Sequence, residues 1–180
     1  PTEIQTAIEC NRLWGFGYLD GIKSAQKASA ALGTAVHKQM ERWFLYRVLP
    51  DPEAVEGQIA EKGLHHWPAP GDVDLVEHQM VFYLGGFWFK GIQDVGFGEA
   101  GRRVVGDHKS TSDFKWALSA EALRKNPQAT IYLAGEMLRS GAKEGELRWV
   151  YYRTKKPYKA LRVVEDDGKG SPVVLTQSDV

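Results

Sequence analysis

The chain has 180 residues, of which 43% are hydrophobic, enough for one domain (1–180) with a substantial core. A charged fraction of 26% with 11% aromatics excludes a disordered tail and a low-complexity segment. No apolar run approaches the ~20 residues of a membrane span, the first residues lack a basic-then-apolar signal pattern, and the single cysteine, Cys10, excludes an internal disulfide. The address expected from these features is intracellular.

Net charge is zero, with 23 basic and 23 acidic residues, which argues against binding nucleic acid through bulk charge. The charges are nevertheless segregated. Acids dominate from Asp51 to Glu77, whereas Arg148, Arg153, Lys155, Lys156, Lys159 and Arg162 make the C-terminal third basic. Trp149, Tyr151, Tyr152 and Tyr158 are interleaved with those cations, the pattern of a surface that tracks phosphates and stacks bases. A solvated strand edge guarded by lysines is the plainer alternative.

In chain order, Ala25 to Val48 carries a helical period, with Val36, Met40, Phe44 and Val48 four residues apart; Gly33 interrupts it, so the strong helix can begin there. A short helix is expected from Glu53 to Gly63. Three strands follow, Leu75 to Leu84, Phe87 to about Gly98 and Arg102 to Lys109, with Gly85-Gly86 and Ala100-Gly101 as two-residue turns. Ser112 to Lys125 reads as helical. Asn126 as N-cap and Pro127 as first residue start a further helix that runs to about Ser140. Leu147 to Arg153 is a strand, and Leu161 to Val164 a second. The six tryptophans and the Phe87-Trp88-Phe89 run are expected in the core. The order is helix, three strands, helix, strand: a mixed α/β domain built around an antiparallel hairpin sheet.

Two-residue turns set the register. Unbulged strands would place Glu77 opposite Asp94 and Asp94 opposite Asp107, with Cβ atoms about 4.5–5.5 Å apart. Three carboxylates in such a row repel one another unless a hard cation such as Mg²⁺ or Mn²⁺ sits between them. Exposed acids on a solvent-facing sheet are the bland alternative. Lys109, two residues past Asp107, shares that acid's strand face at about 7 Å. An ammonium there can stabilise developing negative charge, or simply form a strand salt bridge.

Four motifs in order now carry a resemblance: Gly33 to His37, Gly91-Ile92-Gln93-Asp94, Gly106-Asp107-His108-Lys109, and Gln128-Ala129-Thr130-Ile131-Tyr132. The chain resembles the PD-(D/E)XK nuclease superfamily, in its RecB-like branch. The resemblance implies a restriction-endonuclease-like core, a mixed sheet of helix–three strands–helix–strand order flanked by helices. It implies Mg²⁺ or Mn²⁺ held by His37, Asp94, Asp107 and the His108 backbone carbonyl, with Lys109 catalytic and Glu77 where many relatives carry an acid. Gln128 and Tyr132 match the motif that positions DNA or the lysine, and the His108 side chain is read as incidental. Without the resemblance, His37 could equally pair with Glu41 one turn on. The implied activity is DNA phosphodiester hydrolysis, as an exonuclease of recombination, repair or phage DNA processing in a bacterial or phage-infected cytoplasm. Recombination or helicase proteins are the implied partners, and Arg153, Lys155 and Lys156 the expected phosphate contacts. Many members of this branch bind an iron–sulfur cluster through four cysteines; Cys10 alone cannot. The competing readings are a non-catalytic nucleic-acid-binding module on the same fold and a metallohydrolase of small phosphoesters.

Overall fold

The computed structural model describes residues 2–22 and 28–164. Ahead of the elements expected from sequence lie α1 (Thr2–Glu9) and α2 (Asn11–Trp14), the latter continued by a π-helical turn over Gly15–Leu19. The long helix α3 spans Ala28–Tyr46; the expected start at Ala25 to Lys27 lies outside the described residues. Arg47 then takes a left-handed φ of 57°, so Val48 falls beyond the helix and is exposed rather than extending the apolar row. A shorter helix, α4, covers Val55–Glu61.

A five-stranded sheet follows in the order β1-β2-β3-β4-β5, from β1 (Val73–Leu84), β2 (Phe87–Glu99), β3 (Arg102–Thr111), β4 (Gly145–Arg153) and β5 (Ala160–Val164). The pairing of β3 with β4 is parallel and the rest antiparallel, which makes the sheet mixed. Both hairpin turns have the expected two residues. Gly85 and Gly86 sit at φ 56° and 88°, Ala100 and Gly101 at φ 50° and 80°, so both are type I′, whose twist matches the strands.

The expected helix from Ser112 to Lys125 is broken. Asp113 accepts from the Lys115 N–H and closes a 3₁₀ turn at Phe114–Trp116, then Ser119 accepts from the Ala122 N–H and starts α5 (Ala120–Arg124). Two N-caps six residues apart divide what the apolar pattern joins. The next helix, α6 (Pro127–Ser140), is capped as expected by Asn126, which accepts from the Ala129 N–H, and ends at left-handed Gly141.

Two apolar layers enclose the sheet. Val36, Met40 and Phe44 of α3 pack with Trp67, Val95, Val104 and Tyr152 on one side. Tyr132, Leu133 and Met137 of α6 pack with Met80, Val105, Leu147 and Trp149 on the other. Strand β4 lies inside the sheet and is covered on both faces. Trp149, Tyr151 and Tyr152 are therefore buried, and the expected stacking surface on this segment does not exist. Arg148 is buried too, paired with Glu99 and Glu146, which removes it from the free basic set. The Phe87-Trp88-Phe89 run departs in the opposite direction: Phe87, beside the turn, and Trp88, on the hairpin face that α6 does not cover, are exposed.

Candidate active site

Near the middle of the hairpin both strands turn over. Val76 and Val95 pack into the α3 layer, whereas Met80 belongs to the α6 layer and Gly91 lies against Tyr132 of α6. Residues four apart on a straight strand share a face, so each strand reverses in between. Glu77 marks the reversal with a left-handed φ of 47°. The ladder pairs Val76 with Val95 and His78 with Gln93, and skips Glu77 and Asp94 between them. The register reading was thus right in count, but the two acids stand at a twist rather than in a flat ladder pair.

The neighbouring ladder ends at the same level. Pairing of β2 with β3 runs from Glu99↔Arg102 to Val95↔Gly106, one residue short of Asp94 and Asp107. There the Asp94 carboxylate accepts the His108 N–H at 2.8 Å, so a side chain replaces the next rung and the strands fork. The expected row of three directly opposed acids is replaced by this fork in the sheet.

Helix α3 supplies the third group. His37 Nδ1 lies 3.5 Å from Asp94 Oδ2, and its ring meets the His108 ring edge-on with centroids 5.5 Å apart. Ligand atoms of His37, Glu77 and Asp94 all lie within 4.8 Å of one another, the only such grouping of three among the described residues. Asp107 adjoins this trio without joining it. It is buried and held by Lys109, whose Nζ is 2.6 Å from Oδ2, and by Gln128 of α6 at 3.4 Å from Oδ1. Gln128 also accepts from Lys109 Nζ at 3.4 Å, so it bridges the acid and the lysine. Lys109 Nζ sits 4.6 Å over the Trp149 ring as well, which fixes the ammonium from below.

Electrostatics follow from this crowding. Burial, then the Asp107 charge, pushes Asp94 well above the usual carboxylate range, against the His108 N–H and Lys109, which pull it down. Partial desolvation, then Glu41 and Asp107, raises Glu77. Burial lowers His37 despite the attraction of Asp107 and keeps its imidazole neutral, the form that ligates metal. For Lys109 burial is the largest influence and acts downward, but the ion pair with Asp107 outweighs it and the ammonium is held.

Two supports were not foreseen from sequence. The His108 side chain, read there as incidental, is buried: it stacks on Phe44 and its Nδ1 lies 3.2 Å from the Tyr152 hydroxyl. Trp67 Nε1 donates to that hydroxyl at 3.0 Å, and an indole N–H can only donate, so the hydroxyl proton is free for His108. This chain pins the residue whose N–H holds Asp94 and whose ring meets His37. Sequence separations of 44 and 85 residues hid it. The second support is Gly91: a Cβ there would lie 2.6 Å from Tyr132 Cε1, so the glycine of one motif makes room for the tyrosine of another. Tyr132 is accordingly buried against Gly91, and Gln128, half-buried, reaches Lys109 and Asp107.

An open cleft of about 700 Å³, lined by Gly33, His37, Glu77, Lys109 and Ser110, gives access to the cluster. Lys155 and Lys156 are exposed in the β4–β5 connection and Arg153 is half-buried. Thr111 pairs with Arg153 in the parallel β3–β4 ladder, so these cations lie at the sheet end where β3 also carries Lys109.

Comparison with known proteins agrees with this architecture. The sequence model of the PD-(D/E)XK nuclease superfamily matches residues 1–74, which include His37. The comparison with curated proteins gives no match. A crystal structure of a candidate exonuclease from Eubacterium rectale superposes with a TM-score of 0.54 and 11% identity, over 88% of this chain and 66% of its own. The structure of SSO0001 aligns with a TM-score of 0.40 and 16% identity, over 92% of this chain and 62% of its own. The chain thus spans just under two thirds of these longer proteins. The resemblance to the PD-(D/E)XK nuclease superfamily holds, and the fold is the restriction-endonuclease-like α/β core with its mixed sheet flanked by helices.

Proposed function

We propose that the protein is a divalent-metal-dependent nuclease of the RecB-like branch that hydrolyses DNA phosphodiester bonds from strand ends. Recombination, repair and phage DNA processing are the processes that such trimming serves. The observation that carries this reading is the convergence of His37, Glu77 and Asp94 within 4.8 Å beside the Asp107–Lys109 pair, with His37, Glu77 and Lys109 lining an open cleft.

The donor set fits the cation. One neutral imidazole and two carboxylate oxygens suit Mg²⁺ or Mn²⁺, and Asp94, raised by burial and by Asp107, is an acid that a nearby cation would relieve. His37, Glu77 and Asp94 would hold the metal, with Asp107 and the His108 carbonyl within reach of it. A bound divalent cation supplies acidification of an attacking water and neutralisation of the scissile phosphate. The chain's own groups do the rest. Lys109, kept charged by Asp107 and oriented by Gln128, would hold the nucleophile or the developing negative charge. The His108 N–H fixes the Asp94 carboxylate, and the Trp67–Tyr152–His108 chain fixes His108. Arg153, Lys155 and Lys156 are the proposed phosphate contacts beyond the cleft.

The test is digestion of end-labelled linear DNA and closed circular DNA, single- and double-stranded, with Mn²⁺, Mg²⁺ or EDTA. Metal-dependent release of nucleotides from linear DNA alone is expected. Cleavage of circles would overturn end dependence. Binding of DNA with no release in any metal would replace the nuclease with a binding module. Turnover of a chromogenic phosphodiester that DNA does not inhibit would make the substrate a small phosphoester.

A further inference from the structure

Past the twist at Glu77 and Asp94, the hairpin presents one face to α6 and the other to solvent. On the solvent face lie Gln79, Val81 and Tyr83 of β1, paired in turn with Ile92, Lys90 and Trp88 of β2. All six are exposed, Tyr83 by 57% and Trp88 by 74%, and these two rings touch with centroids 5.4 Å apart. Apolar side chains are normally spared such a position, so a contiguous exposed set marks a binding surface.

From this arrangement we propose that the outward face of the β1–β2 hairpin is a track for a single nucleic-acid strand, with bases stacked on Tyr83 and Trp88 and a phosphate at Lys90. The inference rests on the nuclease reading and names the form of its substrate. Three observations select this occupant. The face is continuous with the candidate metal cluster, since Glu77 and Asp94 stand at its inner end. Its aromatics lie at the outer end, six residues or about 20 Å away, a span that takes a strand of several nucleotides to cover. A cation, Lys90, interrupts the apolar row midway, as suits a ligand that alternates flat apolar bases with anionic phosphates. A duplex hides its base faces, so the surface favours single strands or a frayed end.

The test is fluorescence anisotropy with labelled oligothymidylates, from the dinucleotide to about twelve nucleotides, in Ca²⁺ buffer, where binding is read without hydrolysis. For the parent, affinity should climb with length over the first several nucleotides and then level. In the Tyr83→Ala/Trp88→Ala variant the Kd for the longer oligonucleotides should rise about 10- to 100-fold, and the climb should stop short. Trp116→Ala, an exposed tryptophan away from this face, should bind as the parent does. Equal binding by the double variant at every length overturns the proposal. A parent that sediments as a dimer and a double variant that sediments as a monomer with unaltered binding also overturn it, by assigning the face to a second copy. The two readings fail separately: a parent that binds by length but digests nothing with Mn²⁺ keeps the track and loses the nuclease. A parent that digests DNA while the variant binds normally does the reverse.

Discussion

Two short segments concentrate aromatic side chains, Trp149 to Tyr152 on β4 and Tyr83 to Phe89 around the first hairpin turn, and the fold treats them in opposite ways. Strand β4 has β3 and β5 as neighbours and a helical layer on each face, so Trp149, Tyr151 and Tyr152 are buried. The outer hairpin has α6 on one face only, and Tyr83, Phe87 and Trp88 stay in water. Composition is similar; position in the sheet differs. A buried aromatic is held by contacts on all sides and contributes stability, whereas an exposed one contributes little to folding and is free to contribute binding. Only one of the two segments should matter to stability, and only the other to ligand length.

The largest expected effect lies on the buried side. Trp149→Ala removes a large ring from the α6 layer and should cost about 3–5 kcal/mol in urea unfolding, the range for truncating a core aromatic. A loss under about 1 kcal/mol would break the comparison by showing that the β4 aromatics are not core.

Lys109→Ala comes next, and separates chemistry from packing at the place where the two meet, over the Trp149 ring. Single-turnover cleavage should fall about 10²–10³-fold, the scale for deleting one group aimed at developing charge. Mn²⁺ affinity by calorimetry should hold or improve, because a cation beside the ligands has gone. Cleavage at nearly the parental rate would make Lys109 a strand ion pair and remove the mechanism.

A smaller effect is expected at Tyr152→Phe. The ring stays, but Trp67 Nε1 loses its acceptor and His108 Nδ1 its partner in a buried site. Leaving such groups unpaired costs about 1–3 kcal/mol, to be read as a lower urea midpoint at unaltered m-value. Cleavage should also slow if the chain positions His108, and an intact rate with lowered stability would confine Tyr152 to packing.

Much of this was legible in the sequence, for local reasons. Paired turn residues and alternation carried the register from Leu84↔Phe87 as far as Val76↔Val95, and Asn126-Pro127 marked the start of α6, because both signals act over a few residues. The groups that converge at the candidate site, His37, Glu77, Asp94, Asp107 and Lys109, were all singled out. What escaped is non-local. Whether an aromatic segment is core depends on which strands flank it and how far the helices reach, and period-two alternation is the same in either case. Overlooking that exchanged the roles of the β4 aromatics and the hairpin aromatics. The reversal at Glu77 escaped because a left-handed glutamate has no sequence signature, and the support of His108 because its partners come from distant segments.

The smallest expected change in stability tests the exposed side. Trp88 is 74% exposed and its ring contact is Tyr83, itself exposed, so neither burial nor a hydrogen bond ties it to the core. Truncating it exposes less apolar surface in both the folded and the unfolded chain, and the two changes nearly cancel. Trp88→Ala should therefore move the unfolding free energy by no more than about 0.5 kcal/mol, the range for surface positions without special roles. The β-propensity of the hairpin falls slightly with loss of a cross-strand aromatic pair, which sets the sign as a small destabilisation. Urea unfolding beside Trp149→Ala makes the measurement internal, since both variants lose the same side chain. Equal losses at the two tryptophans would mean that the hairpin face is covered in solution, by more of this chain or by a second copy, and the contrast between the two aromatic segments would be gone.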